Sequence, residues 1–218
     1  MIRVRSMSSV RNASQKGRMN MAKMSILVWC IVAAVGSGAT ANELIVNGGF
    51  EVGPNPGGFL SLSVGSQAVT GWTVTRQTVD YIGSHFQPAS GSRCLDLGGS
   101  PSAGGVMQEV PTVPGRTYRI DFMMAGNPNA GPTVKQMQIR TGLALSPVFE
   151  FNITGHSPGN MGWEARSWNF TAEDAVTEIE FFNLISSNAG PALDDVSIQD
   201  EPVATERSTF GRIKGLYR

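Results

Sequence analysis

The sequence predicts an all-β protein built as a two-sheet antiparallel β-sandwich, and two observations lead there. Apolar and polar residues alternate over runs of five to eight residues, as expected of strands with one face on a core and one in water. No stretch sustains a 3.6-residue apolar period for three turns, and 26 glycines and 12 prolines among 218 residues punctuate the chain. Nine or ten strands without a helix bury their apolar faces by packing sheet on sheet.

The elements follow in order. GWTV places Trp72 at the start of a strand. Alternation then marks strands over Gln77–Ile82, Arg93–Leu97, Gly105–Val110 and Thr117–Met124. In the last of these Tyr118, Ile120, Phe122 and Met124 point one way, Arg119 and Asp121 the other. Further strands are Val134–Thr141, Val148–Ile153, Ser167–Thr171, Thr177–Leu184 and Ala192–Gln199. The segments NPNAGP, GHSPGNMG and SSNAGP between them have loop-forming compositions. No repeat or linker interrupts residues 42–199, which read as one domain.

Residues 1–41 read as a signal peptide. They hold six basic residues and no acid, then the apolar run MSILVWCIVAAV from Met24 to Val35. That run is shorter than the roughly 20 residues a membrane-spanning helix needs, and Ala39-Thr40-Ala41 supplies a small-x-small cleavage site. An uncleaved anchor is the alternative. Translation starting at Met19, Met21 or Met24 would leave the exported part unchanged. Cleavage turns a balance of 17 basic and 17 acidic residues into 11 against 17, a formal −6. Such a domain, lacking basic clusters, is unsuited to nucleic acid or anionic lipid. Cys30 leaves with the signal peptide and Cys94 remains alone, within an apolar alternation, as a buried small hydrophobe.

The tail, 200–218, is polar and ends in the basic-aromatic STFGRIKGLYR, without the apolar length of a membrane anchor. It is either a frayed terminus or a docking tag for a surface protein, since Phe210, Ile213, Leu216 and Tyr217 could share a helical face.

No motif with a catalytic mechanism occurs. His85 and His156 stand in loop-like surroundings and outside any HxH or HExxH spacing, and no GxSxG elbow or phosphate loop is present. Asp80, Asp96, Asp121 and Glu164 read as ordinary outward strand or loop charges. The expectation is a binding domain and not an enzyme.

Seven segments, LIVNGGFE, GWTV, VDYIG, GSRCLDLGG, VPGRTYRIDFMMAGNP, MGWEARSWNF and GPALDDVSI, run in order from Leu44 to Ile198. Together they resemble the choice-of-anchor C family and its relatives among plant cell-wall proteins of unassigned function. The family's common tryptophan after VDYIGSH is Phe86 here. The resemblance implies a jelly-roll sandwich of the galactose-binding type, akin to carbohydrate-binding modules, with first and last strands close together. It implies secreted, non-catalytic work at a cell surface or wall, recognising polysaccharide or, alternatively, a protein partner in a structural or adhesive role. Among candidate ligand contacts, Trp163 is the best exposed tryptophan, with Tyr81, His85 and Asn127 as loop partners; the resemblance implies a mostly core position for Trp72, and Trp168 alternates with Phe170 and reads as core. The resemblance also implies structural calcium held by Glu51 and Asp194, with Asp195 and a carbonyl near Gly49 as further ligands. The alternative is that Asp194 accepts backbone N–H groups or pairs with an arginine such as Arg93.

Overall fold

Twelve strands lie between residues 59 and 200 of the computed structural model, which describes residues 43–101 and 103–201. The proposed signal peptide and all but the first two residues of the tail fall outside that range. The first sheet runs β1 (Phe59–Ser63), β3 (Thr78–Ile82), β4 (Cys94–Asp96), β12 (Pro191–Asp200), β6 (Thr117–Gly126) and β10 (Glu164–Thr171) in spatial order. The second runs β2 (Thr73–Arg76), β5 (Gly105–Pro111), β11 (Val176–Asn183) and β7 (Val134–Thr141). At the far edge β7 pairs with the short β8 (Ala144–Leu145) and β9 (Phe149–Asn152). All pairings are antiparallel, and no helix occurs among the described residues.

From β4 onward the chain passes repeatedly from one sheet to the other, so β5, β7, β9 and β11 lie in the second and β4, β6, β10 and β12 in the first. This is jelly-roll wiring, and it makes neighbours of residues far apart in sequence. The alternation read in β6 holds: Tyr118, Ile120, Phe122 and Met124 are buried while Arg119 faces water. Phe122 meets Phe181 of β11 edge-on at 5.4 Å and Phe149 of β9 at 5.1 Å, so one ring closes the gap between the sheets. Burying a side chain of this kind stabilises by about 1.5–3 kcal/mol. Trp72 lies in the same core against Phe50 and Phe181, as expected. Cys94 is fully buried, and burial pushes its thiol well above the ordinary range, which suits an inert core residue.

Segments 43–50 and β12 lie side by side. The Leu44 N–H donates to the Ile198 carbonyl at 3.3 Å, and the Val196 N–H donates to the Gly48 carbonyl at 3.0 Å. Gly48 is required there, because a Cβ would overlap the Val196 carbonyl oxygen.

Candidate functional site

In the first sheet Leu62, Val79 and Leu95 line the interior together with Val74 and Val106 of the second sheet. Side chains alternate along a strand, so Phe59, Ser61, Asp80, Ile82 and Asp96 project from the opposite face. The register sets Phe59 opposite Ile82, Ser61 opposite Asp80, and Asp80 opposite Asp96. Three loops rise around this face: His85 and Phe86 after β3, Asn127–Ala130 after β6, and Asn188–Ala189 before β12. The result is a cleft of about 320 Å³, at the lower end of the roughly 300–1,000 Å³ typical of ligand pockets.

Its lining combines rings with polar groups. Phe59, about half exposed, meets His85 at 5.6 Å, and His85 meets the buried Phe86 at 4.9 Å, giving a short row of rings. A His85 ring nitrogen (Nε2) and the Asn129 amide lie 3.1 Å apart. Ser61 Oγ donates to Asp80 at 2.5 Å.

Asp96 is the buried centre of the floor. One of its oxygens accepts from the N–H groups of Gly98 (2.8 Å) and Gly190 (3.0 Å), the other from the Asn127 amide (2.6 Å). Burial raises its carboxyl to about 6, with the Asp80 charge opposite adding to the rise and these three donors opposing it. The outward reading of Asp96 is therefore corrected. It does point away from the core, but the loops carrying Asn127 and Gly190 close over it. Lys135 of β7 is also fully buried, and its ammonium donates to the Ala130 and Ala189 carbonyls, each at 2.6 Å. It ties together the two loops that wall the cleft. This lysine was missed in the sequence, although it shares strand parity with Met137 and Ile139 and so had to face inward. Phe59 was missed with its strand, an edge in which Leu62 alone is buried.

Of the four expected ligand contacts, His85 and Asn127 line the cleft. Tyr81 does not: it is a core residue with no exposure, whose hydroxyl donates to the Phe50 carbonyl at 2.7 Å and accepts from Arg93 at 2.6 Å. Its side chain falls on the inward parity of β3, beside Val79. Trp163 is half-buried against the core, with its indole N–H donating to the Gln87 carbonyl at 2.9 Å, and lies outside the cleft lining.

The expected metal ligands gather at a second place, around the loop at Ala89–Arg93. Glu51 accepts from the N–H groups of Ser92 (2.8 Å) and Arg93 (2.9 Å) and from the Ser92 hydroxyl (2.7 Å). Although partial burial pushes its carboxyl up, these donors hold it below the ordinary value. Asp194, fully buried, accepts from the N–H groups of Ala89, Ser90 and Asp195. Burial, with the neighbouring Asp195 charge, raises it to about 7 against those donors. Asp195 accepts from the Ser90 hydroxyl, and Gly49 lies beside it. Arg93 turns instead to the Gly53 carbonyl and Tyr81. The donor chemistry is that of a hard-cation site, with carboxylates and nearby carbonyls. The geometry is that of N–H capture: among the described residues no three acidic, His or Cys side chains converge closely enough to hold an ion.

What the fold and the cleft define is a jelly-roll β-sandwich domain with a polar, ring-lined cleft on the outside of one sheet. The chain belongs to the DUF642 family, whose model, described as a protein of unknown function, matches residues 43–199. Halomucin of Haloquadratum walsbyi is 30% identical over 188 residues, covering 82% of this chain and 2% of that protein. The Arabidopsis thaliana protein DUF642 L-galactono-1,4-lactone-responsive gene 2 is 28% identical over 180 residues, covering 73% of this chain and 46% of its own. This chain thus spans less than half the length of either relative. Among solved structures, the carbohydrate-binding module TmCBM61 in complex with β-1,4-galactotriose aligns with a TM-score of 0.46 at 16% identity, covering 74% of this chain and all of that one. A family 35 carbohydrate-binding module from Clostridium thermocellum aligns with a TM-score of 0.43 at 13% identity, covering 64% and 97%.

Proposed function

We propose that the cleft over β1, β3 and β4 binds carbohydrate, and that the protein is an exported domain that attaches to extracellular or cell-wall polysaccharide without transforming it. The observation that carries this reading is the lining itself. A row of rings, Phe59, His85 and Phe86, borders amides and carboxylates in one concave surface. Pyranose rings need that combination, because their C–H faces pack on aromatic faces while their hydroxyls require both donors and acceptors. Asn127 and Asn129 supply amides, and Asp80 supplies an acceptor. Export is supported by the basic, apolar and small-x-small pattern of residues 1–41.

The test is a glycan array and an insoluble-polysaccharide pull-down with the wild type and Phe59→Ala. Phe59 is 51% exposed, so the variant folds and keeps its Tm. Loss of one ring contact weakens binding about tenfold. Binding unaffected by Phe59→Ala would move the site elsewhere. If no polysaccharide is retained, and deletion of Ser208–Arg218 releases the protein from the cell surface, the protein-docking alternative takes its place.

Calcium at Glu51, Asp194 and Asp195 belongs to this proposal too. It requires the carboxylates to leave their N–H donors and draw together on the ion; its support is the donor chemistry, hard oxygens beside a buried Asp194 that forms no ion pair among the described residues.

A further inference from the structure

We infer that Asp80 sets the charge selectivity of this cleft, so that amino sugars bind best, neutral sugars next, and uronates are turned away. The inference rests on the reading of the cleft as a carbohydrate site.

Asp80 is half-buried on β3, in the middle of the lining. Its one hydrogen bond among the described residues is from Ser61 Oγ, to a single carboxylate oxygen, and no ion pair reaches it. The other oxygen is left to meet whatever enters. Among the described residues no lysine or arginine lines the cleft. Of the seven basic side chains in residues 43–201, five are ion-paired to acids elsewhere. Arg93 is turned to the Gly53 carbonyl and Tyr81. That leaves Lys135, which lies behind the wall with its ammonium on two carbonyls. Burial lowers the pKa of its ammonium, against a smaller opposing pull from the Asp96 charge, while Asp96 itself is taken up by the N–H groups of Gly98 and Gly190 and the Asn127 amide. Among the described residues Asp80 is then the carboxylate that faces the cleft with a free oxygen and no ion pair.

A charge in a concavity with low-dielectric walls acts more strongly than one on an open surface, because less water screens it. A sugar ammonium approaching Asp80 is attracted and can donate to the open oxygen. A hydroxyl donates to the same oxygen with a weaker, uncharged bond. A uronate brings a second carboxylate to the same place with no cation to hold it, and like charges there are repelled.

Titration calorimetry of the full chain at low salt tests this with three oligosaccharides of matched length: glucosamine, N-acetylglucosamine and galacturonate oligomers. The expected order of affinity is glucosamine, then N-acetylglucosamine, then galacturonate, spanning at least about tenfold at each step. High salt compresses the order. Asp80→Asn abolishes the order: the glucosamine oligomer loses affinity and the galacturonate oligomer gains it, each relative to the N-acetylglucosamine oligomer. Ser61→Ala keeps the charge and therefore keeps the order, which separates charge from damage to the cleft. Galacturonate bound as tightly as the neutral oligomer, or an order unchanged in Asp80→Asn, overturns the inference and leaves a carbohydrate site without charge selection. Failure of every sugar to bind overturns the carbohydrate reading and this inference with it.

Discussion

Asp96 and Glu180 are two buried carboxylates whose titrations act on stability in opposite senses. Burial and the Asp80 charge raise Asp96 from 3.8 to about 6. A raised carboxylate contributes stability that is fully present below its unfolded value and is lost as pH climbs through its folded value. Glu180 is held below its ordinary value: burial pushes it up, but hydrogen bonds from Arg76 and Thr75 and the charges of Arg76 and Arg140 outweigh that. Its contribution is present above its unfolded value and is lost as pH falls through its folded value. Stability of the metal-free protein should therefore peak on the acid side of neutrality. Asp96 accounts for a decline on the order of 2–3 kcal/mol between about pH 4 and pH 7. Asp194, raised to about 7 by burial, adds a decline of the same sign. Urea unfolding across that range measures the sum, and Asp96→Asn should reduce the slope and leave the part due to Asp194. At the acid end, Glu180→Gln should cost about 2 kcal/mol near neutral pH. That is below the usual 3–5 kcal/mol for breaking a buried pair, because Arg76 and Arg140 are partly exposed and can rehydrate.

Two elements meet where the chain enters and leaves the sandwich, and Gly48 is the point of closest approach. Its neighbour is the Val196 main chain on β12, which cannot rotate away as a side chain would. Gly48→Ala should lower stability by roughly 2 kcal/mol or more, seen as a drop in urea midpoint with an unchanged m-value. At the other end of the same sheet, Lys135 links the loop after β6 to the loop before β12. Lys135→Met would fill the same space but strand the Ala130 and Ala189 carbonyls. A loss of about 2 kcal/mol is expected, together with faster hydrogen exchange in residues 127–132 and 186–191. These segments correspond to NPNAGP and SSNAGP, whose loop character was evident in composition. Their convergence on one buried ammonium was not, because it joins residues 54 and five positions apart.

For the whole molecule, calcium is the quantity to vary. If an ion replaces the N–H donors around Asp194, EGTA should lower the Tm of calcium-loaded protein by several degrees, and calorimetry should find one site. An unchanged Tm and no heat of binding would leave the N–H capture seen here as the full account of those carboxylates. The strands were legible because alternation is local: in β6 the buried Tyr118, Ile120, Phe122 and Met124 are each two positions from the next. The edge strand β1 carried no such signal, since water meets both of its faces except at Leu62. Phe59 was lost with it. Tyr81 was misplaced because a tyrosine suits a binding surface and a core equally well until its hydroxyl finds a partner. By itself the sequence determined the all-β class and most strand positions, both consequences of side-chain period and turn chemistry, while the joining of the two ends of the domain was implied by the family resemblance. Only the tertiary structure decided which outward-facing residues became a cleft. Jelly-roll wiring brings β1, β3 and β4 together with loops from β6 and β12, and that closure turns Asp96 from a surface charge into a buried floor.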